Sequence, residues 1–238
     1  CSGMIEFGDS RFHCWKKDGH GWLNMIDAIE QSCDVYLYEL AKRVGIKRIG
    51  EMAARFGFGE AFNFGLPGEN RGLIPTPAWK RKTFGQAWHA GETLITSIGQ
   101  GFILCTPLQL AVMTSRLVNG GRPVLPRLMK NERAEIQKRK SLQLSPQHLH
   151  TVLKGMDKVV NGPQGTARKV VDQSMKFQFG GKSGSVQVKR ISLDERESGK
   201  LKNKDRPWHE RDHAMFVAFA PLKSPRYVVS VVVEHGGG

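Results

Sequence analysis

Apolar residues recur at helical spacing through most of the chain and at strand spacing near its end. In residues 24–33 they fall at Met25, Ile26 and Ile29, and in 34–45 at Val35, Leu37, Tyr38, Leu40 and Ala41. This spacing predicts two helices, the second stopped by Gly45 after a basic last turn. Residues 46–59 predict a third helix that ends at Gly57, whereas 60–92, rich in Gly and Pro, read mostly as loop. TLITSIGQGF (93–102) and TPLQLAVMTSRLVNGG (106–121) follow. The latter is amphipathic, with Pro107 at its start and Gly120-Gly121 past its end. Further helical segments are expected at 145–161 and 165–171. The period then shortens, and 176–190, 213–222 and 226–236 read as strands, the last two joined by a short turn containing Pro225. Residues 1–24 read as irregular, and the charge-dense 191–212 as a mobile, solvated loop. Helices followed by strands predict an α+β fold, an antiparallel sheet flanked by helices. Three strands are few for so many helices, so the fold is expected to be incomplete at the N-terminus.

The chain of 238 residues is long enough for one domain with a real core. Its net charge of +14 points either to anionic partners such as nucleic acid, a membrane surface or a polyanionic wall, or to a merely solvated basic surface. No RNA-recognition, C₂H₂ or helix-turn-helix signature accompanies the charge, so no nucleic-acid partner is expected. No run reaches the roughly 18 apolar residues of a bilayer span. The chain opens at Cys1 without Met or a signal pattern, and is expected to be an excised piece of something longer.

Lys182-Ser183-Gly184-Ser185 follows Gly180-Gly181 on a predicted strand, where polar residues need a reason. Together with Ser32-Cys33-Asp34, about 150 residues upstream at a helix junction, it matches two parts of a three-part acyl-serine signature. In that signature Asp34 stands where Asn is usual. Simpler roles are a helix cap for Asp34, a helix-end residue for Ser32 and an edge-strand charge for Lys182. Cys1, Cys14, His20 and Cys33, spaced 13, 6 and 13 apart, form a complete Cys₃His donor set for structural zinc. The alternatives are two disulfides among Cys1, Cys14, Cys33 and Cys105, or unpaired thiols. Cys105 reads as an ordinary core residue.

SIGQGFILCTPLQLAVMTSRLVNGG (97–121) and HAMFVAFAP (213–221) resemble the penicillin-binding transpeptidases. FHCWKKDGHG (12–21) followed by AIEQSCDVYLYELAKRVGI (28–46) resembles one group of them over nearly the whole chain, penicillin-binding protein 2. That group comprises class B D,D-transpeptidases of the rod-elongation machinery. The resemblance implies the serine β-lactamase-like fold and a reaction in two steps. A serine ester forms on the penultimate D-Ala of a peptidoglycan stem peptide, and an amine from a neighbouring stem then displaces it. β-Lactam antibiotics acylate the same serine. It implies Ser32, Asp34 and Lys182 as catalytic, and Ser183, Gly184, Ser185, Val186 and Gln187 as the edge that binds stem peptide or β-lactam. It implies a structural zinc on Cys1, Cys14, His20 and Cys33, elongation-complex membrane proteins as partners, and a place on the periplasmic face of the bacterial inner membrane. No serine here is followed three places on by lysine, so the nucleophilic Ser-x-x-Lys is missing. Residues 1–238 are therefore expected to be the C-terminal portion of the transpeptidase domain. The nucleophile, first strands, pedestal domain and membrane anchor would lie upstream of Cys1, and the chain alone would be inactive. The rival readings are a class D β-lactamase or penicillin sensor, and a non-catalytic scaffold.

Overall fold

The computed structural model describes residues 1–63, 65–129, 141–171, 177–189, 195 and 203–237. Its main sheet is three-stranded and antiparallel in the order β3-β4-β5, formed by Gly180–Val186, His213–Ala220 and Tyr227–Val233. β4 alternates and β5 is rich in valine, the patterns of a half-buried sheet. Register pairs Lys182 with Val217 and Phe216 with Val231. Val217 and Phe219 bury one face of β4 against Leu117 of α5 (Pro107–Val118) and Met156 of α6 (Pro146–Asn161). Further along α6, Val159 and Val160 pack with Ala167, Phe179 and Phe216.

A second core joins the start of the chain to the helices. Ala28 of α1 (Met25–Glu30) and Val35, Tyr38 and Ala41 of α2 (Asp34–Phe56) pack with Leu94 of α4 (Ala90–Ser97), Cys14 and Cys33. α2 is broken at Gly45 (φ 78°, ψ 156°), where the sequence predicted a stop. α5 opens on a capping box in which Thr106 and Gln109 bond each other's backbone N–H.

Several expectations are corrected. Residues 1–24 are not wholly irregular, because β1 (Met4–Phe7) and β2 (Ser10–His13) form a hairpin. Its strands are too short to carry a readable alternation. Residues 60–92 contain α3 (Pro77–Phe84), started by the Thr76 side chain accepting from Trp79 N at 3.1 Å. The segment expected over 165–171 is only a 3₁₀ turn at Arg168–Val170. β3 ends at Val186, so Gln187 lies beyond the ladder. Cys105 is exposed just before α5, not in the core. Of the loop expected over 191–212, residues 191–194 and 196–202 lie outside the described residues, and 203–212 contains 3₁₀ turns at Asn203–Asp205 and Trp208–Glu210.

Candidate active site

The turn between α1 and α2 carries Ser32 and Asp34. Ser32 has φ 52°, a left-handed conformation uncommon for a residue with a side chain. Surrounding bonds hold it there. The Trp15 indole N–H donates to the carbonyls of Gln31 and Ser32, both at 3.0 Å, and Trp15 N donates to Asp34 Oδ2 at 2.9 Å. Asp34 opens α2 but does not cap it, since its carboxylate is committed to Trp15. Burial pushes its pKa up to about 6, against the Trp15 N–H that favours the carboxylate.

β3 brings Lys182 to this turn. Its Nζ donates to Ser32 Oγ at 2.5 Å and to the Ser183 carbonyl at 2.8 Å. Burial lowers its pKa to about 8, while the charge of Asp34 pulls the other way. A lysine poised this close to neutrality, bonded to a hydroxyl, can pass a proton through that hydroxyl in either direction. Ser183 Oγ lies 2.9 Å from Thr166 Oγ1, and Gly184 and Ser185 are exposed along the strand. Gln100 Nε2 donates to the Ser185 carbonyl at 2.7 Å.

The four candidate metal ligands converge beside the same turn. The β1–β2 hairpin sets Cys1 near Cys14, and Cys14 N donates to the Gly3 carbonyl at 2.8 Å. The following loop returns so that His20 N and Gly21 N donate to the Cys1 carbonyl at 3.1 and 3.0 Å. This return requires glycine at two places, as a Cβ on Gly3 would meet Lys17 O at 1.9 Å and one on Gly19 would meet Cys1 O at 2.2 Å. Cys33 closes the group from the α1–α2 turn, and the four ligand atoms lie within 4.8 Å of one another. His20 Nδ1 is 3.5 Å from the sulfurs of both Cys1 and Cys14. Ligands at zinc–sulfur and zinc–nitrogen bond lengths around a tetrahedral centre stand about 3.5 Å apart, so donor set and spacing both fit zinc. Both thiols are free, and a hydrogen bond between the Cys33 and Cys14 side chains holds the Cys14 pKa down to about 4 and, with burial, pushes that of Cys33 up.

Ser32, Asp34, Lys182 and Ser183 thus come together, with Cys1, Cys14, His20 and Cys33 behind them. Gly184, Ser185 and Val186 extend along the strand, and Gln187 continues past its end. Sequence reasoning overlooked Trp15, Gln100 and Thr166. The first two had a readable signal, a tryptophan directly after a candidate ligand and a polar residue between two glycines, but nothing told what they would touch.

Residues 1–238 match the family model described as the penicillin binding protein transpeptidase domain. The chain is 37% identical over 243 residues to the peptidoglycan D,D-transpeptidase MrdA of Haemophilus influenzae, covering 99% of this chain and 37% of that protein. The Escherichia coli K12 protein of the same name is 32% identical over 243 residues, with 98% and 37% covered. The chain therefore spans little more than a third of these relatives. Among solved structures, Pseudomonas aeruginosa PBP2 in complex with WCK 5153 superposes with TM-score 0.84 at 38% identity, covering 98% of this chain and 48% of that one. Helicobacter pylori PBP2 in complex with MreC gives TM-score 0.85 at 33% identity, covering 99% and 41%.

Proposed function

The chain belongs to the penicillin-binding protein transpeptidase family, and from that premise we propose that it forms two of the three catalytic motifs of a peptidoglycan D,D-transpeptidase of the penicillin-binding protein 2 type. The observation that carries the reading is the 2.5 Å bond from Lys182 Nζ to Ser32 Oγ, which joins the two motifs across the site.

The 238 residues hold no Ser-x-x-Lys, so the nucleophilic serine comes from outside them and the isolated chain is not acylated. In the whole protein that serine gives its hydroxyl proton to the lysine of its own Ser-x-x-Lys as its oxygen adds to the carbonyl of the penultimate D-Ala. The C–N bond to the terminal D-Ala breaks, and the leaving amine takes a proton from Ser32 Oγ, which Lys182 replenishes. An amine of a neighbouring stem then attacks the ester and gives its proton to Lys182 through Ser32 Oγ; the C–O bond to the serine breaks, the serine takes back its proton from the Ser-x-x-Lys lysine, and a cross-link is left. A β-lactam is attacked likewise, but its opened ring stays tethered, so the ester persists. The charge of Lys182 and the Ser183 hydroxyl favour the terminal carboxylate, and the β3 edge from Ser185 pairs with the extended stem. An N–H of this edge supplies half of the oxyanion hole. Asp34 holds Trp15 and, by its charge, favours the protonated form of Lys182.

Cys1, Cys14, His20 and Cys33 would hold a zinc ion; with four protein ligands it has no position for water, and it supplies a staple for the Ser32 turn rather than a hydrolytic centre. We place the site on the periplasmic side of the inner membrane, among elongation proteins such as the MreC found with the Helicobacter pylori relative. Among the described residues no helix is long and apolar enough to cross a membrane.

The test is release of D-Ala from a stem pentapeptide by the native protein that carries these residues, followed by mass spectrometry with an amine acceptor present. Penicillin-sensitive release with formation of the cross-linked product is expected. Fast, repeated hydrolysis of penicillin with no cross-link would favour a β-lactamase instead.

A further inference from the structure

Among the described residues β3 has a partner strand on one side only. In an antiparallel ladder alternate residues turn both backbone groups toward the neighbour, and the others turn them away. Three carbonyls of one parity accept from side chains: Phe179 from Asn161 Nδ2 at 2.9 Å, Ser183 from Lys182 Nζ at 2.8 Å and Ser185 from Gln100 Nε2 at 2.7 Å. This parity marks the edge facing away from β4, the edge an extended peptide would pair with. Ser185 is exposed, and its cap arrives from 85 positions away in the chain.

The turn bearing Gln100 is built to aim it. Gly99 and Gly101 on either side have φ 78° and 80°, and Gln100 N donates to the Ile95 carbonyl at 3.1 Å, closing the end of α4. α4 is held to α2 by Ser97, whose hydroxyl reaches the Leu37 carbonyl at 3.5 Å. The carboxamide N–H of Gln100 is the same kind of donor as a peptide N–H, and it takes one of the two lone pairs of the carbonyl an incoming backbone N–H would seek.

We propose that Gln100 is a displaceable cap on the substrate edge of β3. Its carboxamide holds the Ser185 carbonyl at rest and yields it to an amide N–H of the acyl donor, whether stem peptide or the acylamino side chain of a penicillin. This deepens the transpeptidase reading and rests on it. Gln100 is a positioning residue: it governs access to one acceptor and takes no part in bond making. A capped edge also resists pairing with stray strands. A cap and a brace predict opposite signs. Removing a brace slows acylation, whereas removing a cap that substrate must displace speeds it.

The experiment compares the native protein with Q100A and Q100M, the latter keeping length and bulk but lacking a donor. The readout is the second-order rate of covalent labelling by a penicillin with an acylamino side chain, beside that of a carbapenem, which has no such N–H. Both variants are expected to react roughly two- to tenfold faster with the penicillin, the value of one hydrogen bond, and at the parental rate with the carbapenem. Unchanged or slower penicillin labelling of either variant overturns the cap, as does equal acceleration with the carbapenem. A parent protein that neither compound labels overturns the transpeptidase reading and the cap with it.

Discussion

Lys182 and Trp15 are the residues on which the site's geometry turns. Lys182 is half-buried, and desolvation lowers its pKa from 10.5 to about 8. Below pH 8 the ammonium is charged in both folded and unfolded states, and the folded state bears the full cost of burying it. As pH rises from 8 to 10.5 the unfolded chain binds more protons, so stability rises through that window by up to ~3 kcal/mol and then levels off. Urea denaturation at stepped pH should show the gain, and K182M should lack it. A parallel rise in K182M would assign it to other groups. Trp15 acts through its indole N–H, which reaches two carbonyls of the Ser32 turn. W15F keeps the ring and loses the donor. It should cost about 1 kcal/mol in denaturation and slow penicillin labelling of the native protein severalfold. Loss of stability with unchanged labelling would make Trp15 a structural residue only.

At the scale of elements, the hairpin, its return loop and the α1–α2 turn form one unit tied at Cys1, Cys14, His20 and Cys33. If zinc is the tie, stripping it with a chelator should raise hydrogen exchange in residues 1–33 while the β3–β5 sheet keeps its protection. Uniform loss across both regions, or no change in either, would contradict the staple. The helices and the last three strands were readable because their apolar periods are long and their ends explicit, with stops at Gly45 and Gly57 and a start at Pro107. β1, β2 and α3 were not, because four-residue strands and a helix of eight with a basic last turn carry little period of their own. The ligand cluster was readable from residue type. The left-handed Ser32 and the Gln100 bridge were not, since both arise only when distant segments meet.

At the scale of the whole molecule, two walls face each other. One is helical, with the α1–α2 turn and the end of α4; the other is β3. They are joined at Lys182–Ser32 and at Gln100–Ser185, bonds that span 150 and 85 positions of sequence. Such long-range closure is why the meeting of Ser32 with Lys182 was legible in the order of the two motifs yet not in any local pattern. It also makes the site depend on the entire fold, within a chain whose net charge is +14. We propose that this closure serves acyl transfer to a serine through Ser32 and Lys182. The most direct measurement is intact-mass spectrometry of the native protein after brief exposure to penicillin, beside its S32A variant. One long-lived penicilloyl group per molecule is expected, forming on the order of a hundredfold or more slowly in S32A. No adduct on the parent protein, or an adduct forming equally fast in S32A, would contradict it.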